Sequence, residues 1–238
     1  MPSSAGNESV RSTAERYEHL NTESPAVAEH NRVVLEHPAL AGIADQVGRA
    51  YQVITEGLER GGTLYLCGNG GSFADVLHIS GELLKSFVRQ RPLPAALAQA
   101  LRRQPYGEAL ATHLQAGLRA HVLGANPILT SAVANDIPVP GIGYAQELAA
   151  LARPGDVFLG ISTSGKATSV LMALSVARAL GLTTIGMTGS AREDNPLAAG
   201  ADVPLVVPAR ETAAVQEQHI ALYHQLCLML EAHFFAEG

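Results

Sequence analysis

The sequence predicts an α/β fold built on a parallel sheet, and three observations carry that expectation. Short apolar runs of strand length alternate with longer segments whose apolar residues recur at helical spacing. Several of these runs end in turns rich in Gly, Ser and Thr that feed the next helical segment. The composition, 47% hydrophobic and 16% charged with 23 glycines in 238 residues, fits a compact, largely buried fold and excludes disordered and fibrous classes. Strands joined by helical crossovers lie parallel with right-handed connections, and the length suits one core.

Residues 1–24 are polar, lack the apolar core of a signal peptide, and are expected to form a flexible segment ahead of a single domain at 25–238. From Pro25 to Arg60, Val33, Val34, Leu40, Ile43, Val47, Tyr51 and Ile54 recur at helical spacing, interrupted at His37-Pro38, so two helices are expected. Thr63 to Cys67 reads as a strand, Gly68-Asn69-Gly70-Gly71-Ser72 as a turn, and the stretch through Phe87 as a helix. Arg89 to Arg119 reads as an inserted pair of short helices, with Leu97 and Leu101, then Leu110, Leu114 and Leu118, at helical spacing. A solvated face accounts for Arg89, Arg91, Arg102 and Arg103; the alternative is a cover over an anionic substrate.

A strand at His121 to Leu123, a helix ending near Asn135-Asp136, and a helix from Ala145 to Leu151 stopped by Pro154-Gly155 come next. Then the pattern repeats. Val157 to Ile161 is a strand, Ser162-Thr163-Ser164-Gly165 a turn, Ala167 to Leu180 a helix, Thr184 to Met187 a strand, Thr188-Gly189-Ser190 a turn, and Val203 to Val207 a strand. The last helix, Thr212 to Phe235, is apolar all round and is expected to be covered by a partner as well as by its own sheet.

A formal charge of -6 gives no drive toward nucleic acid or an anionic membrane. No stretch approaches a membrane span, so the expected location is the cytoplasm. Cys67 and Cys227 stand far apart inside apolar runs and read as buried thiols, neither a disulfide nor a zinc site.

Two constellations carry chemistry. The turns CGNGGS, STSG and TGS sit at the carboxyl ends of expected parallel strands, where open α/β sheets bind ligands. Glycine allows close backbone approach, hydroxyls donate, and a helix N-terminus adds free N–H groups, so phosphate is the natural occupant. The P-loop lysine and the dinucleotide GxGxxG are both missing. The second constellation pairs His78 with Glu82, i,i+4 on the helix after CGNGGS, with Gln216, Glu217, His219 and His224 on the last helix. These residues suit either a polar helix seam or a zinc-like ion, because the spacing is not a standard zinc motif.

The runs CGNGGSFADVLHISGELLKSF, ANDIPVPGIGYAQELAALARPGDVFLGISTSGKATSVLMALSVARALGLTTIGMTG and ETAAVQEQHIALYHQLCLMLEAHF resemble the phosphoheptose isomerase branch of the SIS (sugar isomerase) family. The resemblance covers about Gly62 to Phe235 apart from the insertion. It implies a five-stranded parallel sheet sandwiched between helices, a homotetramer, and an active site between subunits. It also implies sugar-phosphate contacts at Asn69, Gly70, Ser72, Asn135, Asp136, Ser162, Thr163, Ser164 and Gln216, to which this sequence adds Lys166 as a cation that could itself meet phosphate. Zinc would be held by His78, Glu82, Gln216 and His224.

The sequence departs from the family pattern where STSGNS becomes Ser162-Thr163-Ser164-Gly165-Lys166-Ala167, which loses an amide and a hydroxyl and gains a cation. The acidic residue expected shortly before the Asn135-Asp136 pair is replaced by Asn126. The activity implied is aldose-ketose isomerisation of sedoheptulose 7-phosphate through an enediol, with Glu82 and His224 as the acid-base pair. The alternatives are an isomerase for another ketose phosphate and a non-catalytic SIS protein that binds a phosphosugar or an initiator protein.

Overall fold

The computed structural model describes residues 24–29, 37–190 and 194–236. The segment expected to be flexible, up to residue 23, and the helical positions Val33 and Val34 lie outside the described residues. The strands are β1 (Leu64–Cys67), β2 (Ala120–Val122), β3 (Val157–Ser162), β4 (Thr183–Gly189) and β5 (Val203–Val207). The helices are α1 (Ala44–Glu59), α2 (Gly71–Leu84), α3 (Ala95–Leu101), α4 (Gly107–His113), α5 (Pro127–Asp136), α6 (Gly143–Leu151), α7 (Thr168–Ala179), α8 (Pro196–Gly200) and α9 (Thr212–Phe234).

All strand pairs are parallel, in the order β2-β1-β3-β4-β5. Every residue of β1 and β3 is buried, because both faces of a parallel sheet are covered, and this is why these strands read as continuous apolar runs. At the edge, β5 alternates between buried and partly buried positions. Successive side chains enter opposite layers. Leu64, Leu66, Leu159 and Met187 pack with α1, α2, α9 and the 3-10 turn Pro38–Ile43, whereas Tyr65, Cys67 and Phe158 pack with α6, α7 and α8. The expected sandwich is therefore present.

Helix α2 stops at Leu84 rather than Phe87, and the cause lies in α9. The N–H groups of Phe87, Val88 and Arg89 donate to the carboxylate of Glu231 at 2.8, 2.9 and 3.0 Å instead of continuing the helix ladder. Arg91 donates from Nε to the same carboxylate at 2.8 Å and from its terminal nitrogens to the carbonyls of Leu83 and Glu82, each at 2.8 Å. Both side chains are 0% exposed. Arg91 is therefore an internal tie and not a cation over a substrate.

The insertion contains two short helices, as expected, with Leu114 and Leu118 lying beyond the second. No residue of α3 is buried and only Gly107 is buried in α4, so the pair stands on the body rather than in it. Its base is closed by the Pro92–Gln115 bridge and by Ser86, which donates to Gln115 Oε1 from N and Oγ at 3.0 and 2.8 Å. Arg102 meets Glu108 at 3.3 Å on the exposed surface.

Burial alone would raise the Glu231 pKa. The N–H donors from Phe87 and Val88 and the Arg91 guanidinium outweigh it and hold the carboxyl below its ordinary range. A depressed pKa means stabilisation that is complete above the unfolded value of about 4.3 and is lost as pH falls through the folded value. Glu231→Gln, which strands a buried guanidinium, is expected to cost about 3–5 kcal/mol at neutral pH. The variant should also lose less stability than the parent between pH 5 and 3, as read by denaturant unfolding.

Candidate active site

The turns after β1 and β3 stand at the carboxyl ends of neighbouring strands, on either side of the point where the strand order reverses. Gly70 at φ 57° and Gly165 at φ 70° supply the left-handed backbone those turns need. Asn126 caps α5 and Asn195 caps α8, but no side chain caps α2 or α7. At α7 the first N–H groups and the positive dipole end are thus left unclaimed, whereas at α2 the Ser72 and Phe73 N–H groups already donate to the Asn69 and Gly70 carbonyls at 3.0 Å each.

Asn69 ties the crevice together. Its Nδ2 donates to Ser169 Oγ at 2.9 Å, and its Oδ1 accepts from the Tyr144 hydroxyl at 3.1 Å. Tyr144 also donates to the Gly68 carbonyl at 2.5 Å. Burial, and then the Cys67 thiol, push its pKa up to about 12, so it remains a donor. Asn69, Thr130, Tyr144, Ser169 and the apolar stretch 137–142 bound a cleft of about 620 Å³.

Of the expected contacts, Ser164 and Lys166 are exposed, Thr163 is half-buried, and Ser162 and Ser72 are buried. Ser164 Oγ accepts from the Lys166 N–H at 3.2 Å. The third turn differs from expectation, because β4 runs through Thr188 and Gly189. Thr188 is fully buried and its hydroxyl accepts from Asn195 at 3.3 Å, while Ser190 donates to the Val207 carbonyl at 2.9 Å. Its hydroxyls are engaged inside the fold. Asn135 and Asp136 end α5 exposed, bonded to each other at 2.8 Å.

Helices α2 and α9 lie side by side. Gln216 occupies the space a Gly71 side chain would need, Tyr223 meets His78, and Glu231 meets Phe87. His78 Nε2 is 3.1 Å from Glu82 Oε1, and the His78 and His224 ring centroids are 4.9 Å apart at 84°. Burial, and then His78, lower the His224 pKa, with Glu82 opposing them. Its Nε2 is buried without a hydrogen-bond partner. His219, fully buried, is held at about pKa 4 by burial against a partial opposing effect from the Thr188 backbone, with neither ring nitrogen in hydrogen-bond geometry. It is a neutral core imidazole.

The fold therefore brings His78, Glu82 and His224 together. Gln216 lies about 12 Å from His224 along α9, at the end that packs against Gly71. Two imidazoles and a carboxylate suit zinc as donors, and the orphaned Nε2 of His224 fits a missing partner of that kind. Among the described residues, no group of three or more His, Cys, Asp and Glu side chains is drawn into a ligating arrangement.

Residues 33–136 and 140–189 match the family model for the SIS domain. The chain belongs to the SIS domain family. Within it, the resemblance to the phosphoheptose isomerase branch is borne out. The chain is 35% identical over 200 residues to the phosphoheptose isomerase of Roseiflexus sp. (strain RS-1), covering 84% of each. It is 34% identical over 195 residues to that of Trichlorobacter lovleyi, covering 82% of this chain and 86% of the relative. The solved phosphoheptose isomerase from Neisseria gonorrhoeae is similar at 28% identity and a TM-score of 0.64, over 86% of this chain and 94% of that one.

A Cβ on Gly165 would run into the Asn195 side chain, which bonds Thr188 and the Gly189 carbonyl. Gly165→Ala is expected to cost about 1–2 kcal/mol from its left-handed backbone alone. It should also weaken inhibition by inorganic phosphate about tenfold or more, one charge-assisted hydrogen bond being worth ~1.5–3 kcal/mol. Unchanged phosphate inhibition would remove this turn from the anion site.

Proposed function

We propose that the chain is an aldose-ketose isomerase of sugar phosphates, and that its reaction interconverts sedoheptulose 7-phosphate and D-glycero-heptose 7-phosphate. The observation that carries this reading is the contact of a carboxylate, Glu82, with paired imidazoles in a protein that also has two uncapped helix ends for an anion. Phosphate would be held by the N–H groups at the start of α7 and by Thr163 and Ser164, with the positive dipole end of α2 beside them. Lys166 would add a cation. Asn69, braced by Tyr144 and Ser169, would orient the sugar hydroxyls.

Glu82 removes the proton from the carbon beside the carbonyl and returns it to the neighbouring carbon. His224, neutral near pH 7 because its pKa is lowered, relays the hydroxyl proton from one oxygen to the other, and the negative charge given up by Glu82 resides on the enediolate between the two carbon transfers. Zinc held by His78, Glu82 and His224 would polarise the carbonyl when bound; Gln216, packed against Gly71 at the other end of the seam, would not join those three within one chain.

Helix α2 runs back from the strand ends, so Glu82 lies about 15 Å along its axis from Ser72. One chain's anion turn and its own acid-base pair do not share one mouth, which favours a site completed by a second copy in a homotetramer. Leu77 and Leu84 on α2 and Ile220 on α9, 47%, 53% and 42% exposed, supply an apolar surface for that contact. No helix among the described residues is long and apolar enough to cross a membrane, and a cytoplasmic location is proposed.

Incubation with a panel of ketose phosphates, followed by NMR, tests the reading. Sedoheptulose 7-phosphate should turn over, and Glu82→Gln and His224→Gln should each lower kcat about 100-fold or more. Ser164→Ala should raise KM about tenfold, the loss of one charge-assisted hydrogen bond. Light scattering should report a tetramer; a fully active monomer would remove the shared site.

A further inference from the structure

Tyr223 has no part in the chemistry described above, yet it packs against both imidazoles of the cluster. It is 2% exposed and meets both rings edge-on, with centroids 5.4 Å from His78 and 4.9 Å from His224. Its Oη lies 2.9 Å from Nδ1 of His78, while Nε2 of the same imidazole lies 3.1 Å from Glu82 Oε1.

A neutral imidazole has a single proton to share between those two contacts. An ionised carboxylate only accepts, and a lone pair on Nε2 aimed at it would repel. With nothing between them the proton belongs on Nε2, and Nδ1 must then accept from the phenol. A cation between Nε2 and Glu82 inverts the requirement. The ring proton moves to Nδ1, and its partner must now accept. A phenol hydroxyl can play either part, provided its own proton has another acceptor. Asp75, one turn before His78 on α2, is buried with its Oδ2 unbonded, and its charge bears on Tyr223.

We propose that Tyr223 is a positioning residue that holds the His78 ring through both of its tautomers. It donates to Nδ1 while Glu82 keeps the proton on Nε2 in the metal-free protein, and it accepts Nδ1–H when zinc is bound. Only the second half rests on the zinc reading above. Such outer partners fix ring orientation and typically change metal affinity about 10- to 100-fold when removed.

Long-range 1H–15N NMR of the histidine side chains, on the full chain stripped of metal, reads the tautomer directly. The expected result is a single Nε2–H form of His78 that converts to Nδ1–H on addition of zinc. Tyr223→Phe keeps the ring but removes the hydroxyl. It should keep the Nε2–H form without metal, because Glu82 sets it, and bind zinc about 10- to 100-fold more weakly in competition with a chelator, because Nδ1–H has lost its acceptor. Metal-free parent protein with His78 already as Nδ1–H, or a variant with the parent's zinc affinity, would overturn the proposal. Failure of the zinc reading looks different: the parent would bind no zinc while its metal-free tautomer was still Nε2–H. Should Tyr223→Phe not fold, the parent's metal-free tautomer and its response to zinc decide alone.

Discussion

Helices α2 and α9 lie along one another in register, and the rest of the molecule depends on that alignment. At one end Gln216 fits against Gly71, where no other side chain leaves room; in the middle Tyr223 meets His78; at the far end Glu231 takes the N–H groups that would have prolonged α2. The buried Glu231 carboxylate ends α2, pins Arg91 and sets the base from which the inserted helices rise. A buried ion pair adds little net stability over an apolar pair, but removing one member is expensive. Its effect here is to fix register, and with it the distance between the imidazoles.

The sheet supplies the other constraint. Parallel strands bring every βα turn to one edge, so the anion turns after β1 and β3 arise together wherever the order reverses between them. The same polarity sends α2 back along the sheet, which carries Glu82 and His78 away from that edge. The proposed anion site and the proposed proton-transfer pair are therefore separated by topology within one chain. In the proposed tetramer, the exposed apolar residues Leu77, Leu84 and Ile220 on α2 and α9 would be where a second copy reconnects them.

Much of this was legible in the sequence. β5 falls at the residues expected, and the other strands differ by one or two residues at their ends, because buried parallel strands are compact apolar runs bounded by glycine and polar turns. The i,i+4 pair His78 and Glu82 was readable as a face, and the structure puts His224 beside it. What escaped was non-local or short. Five residues, Pro196 to Gly200, are too few for periodicity to reveal α8, although Pro196 and the capping Asn195 mark its start. Glu231 and Arg91 are far apart in sequence, so nothing local shows that they pair. Tyr144 and Tyr223 look like ordinary apolar positions on their helices, and only their hydroxyl contacts distinguish them. The TGS turn was misjudged because its hydroxyls are claimed by Asn195 and β5, which pattern alone does not reveal.

The proposed isomerisation begins with removal of a carbon-bound proton from a ketose phosphate. Exchange of that proton with deuterated water reports enediol formation even where net turnover is slow. With sedoheptulose 7-phosphate and zinc present, the parent protein should place deuterium at the carbon beside the carbonyl, and Glu82→Gln should incorporate it about 100-fold more slowly. A folded, assembled parent protein that catalyses neither exchange nor isomerisation across the ketose phosphates would contradict the isomerase reading and leave a binding protein in its place.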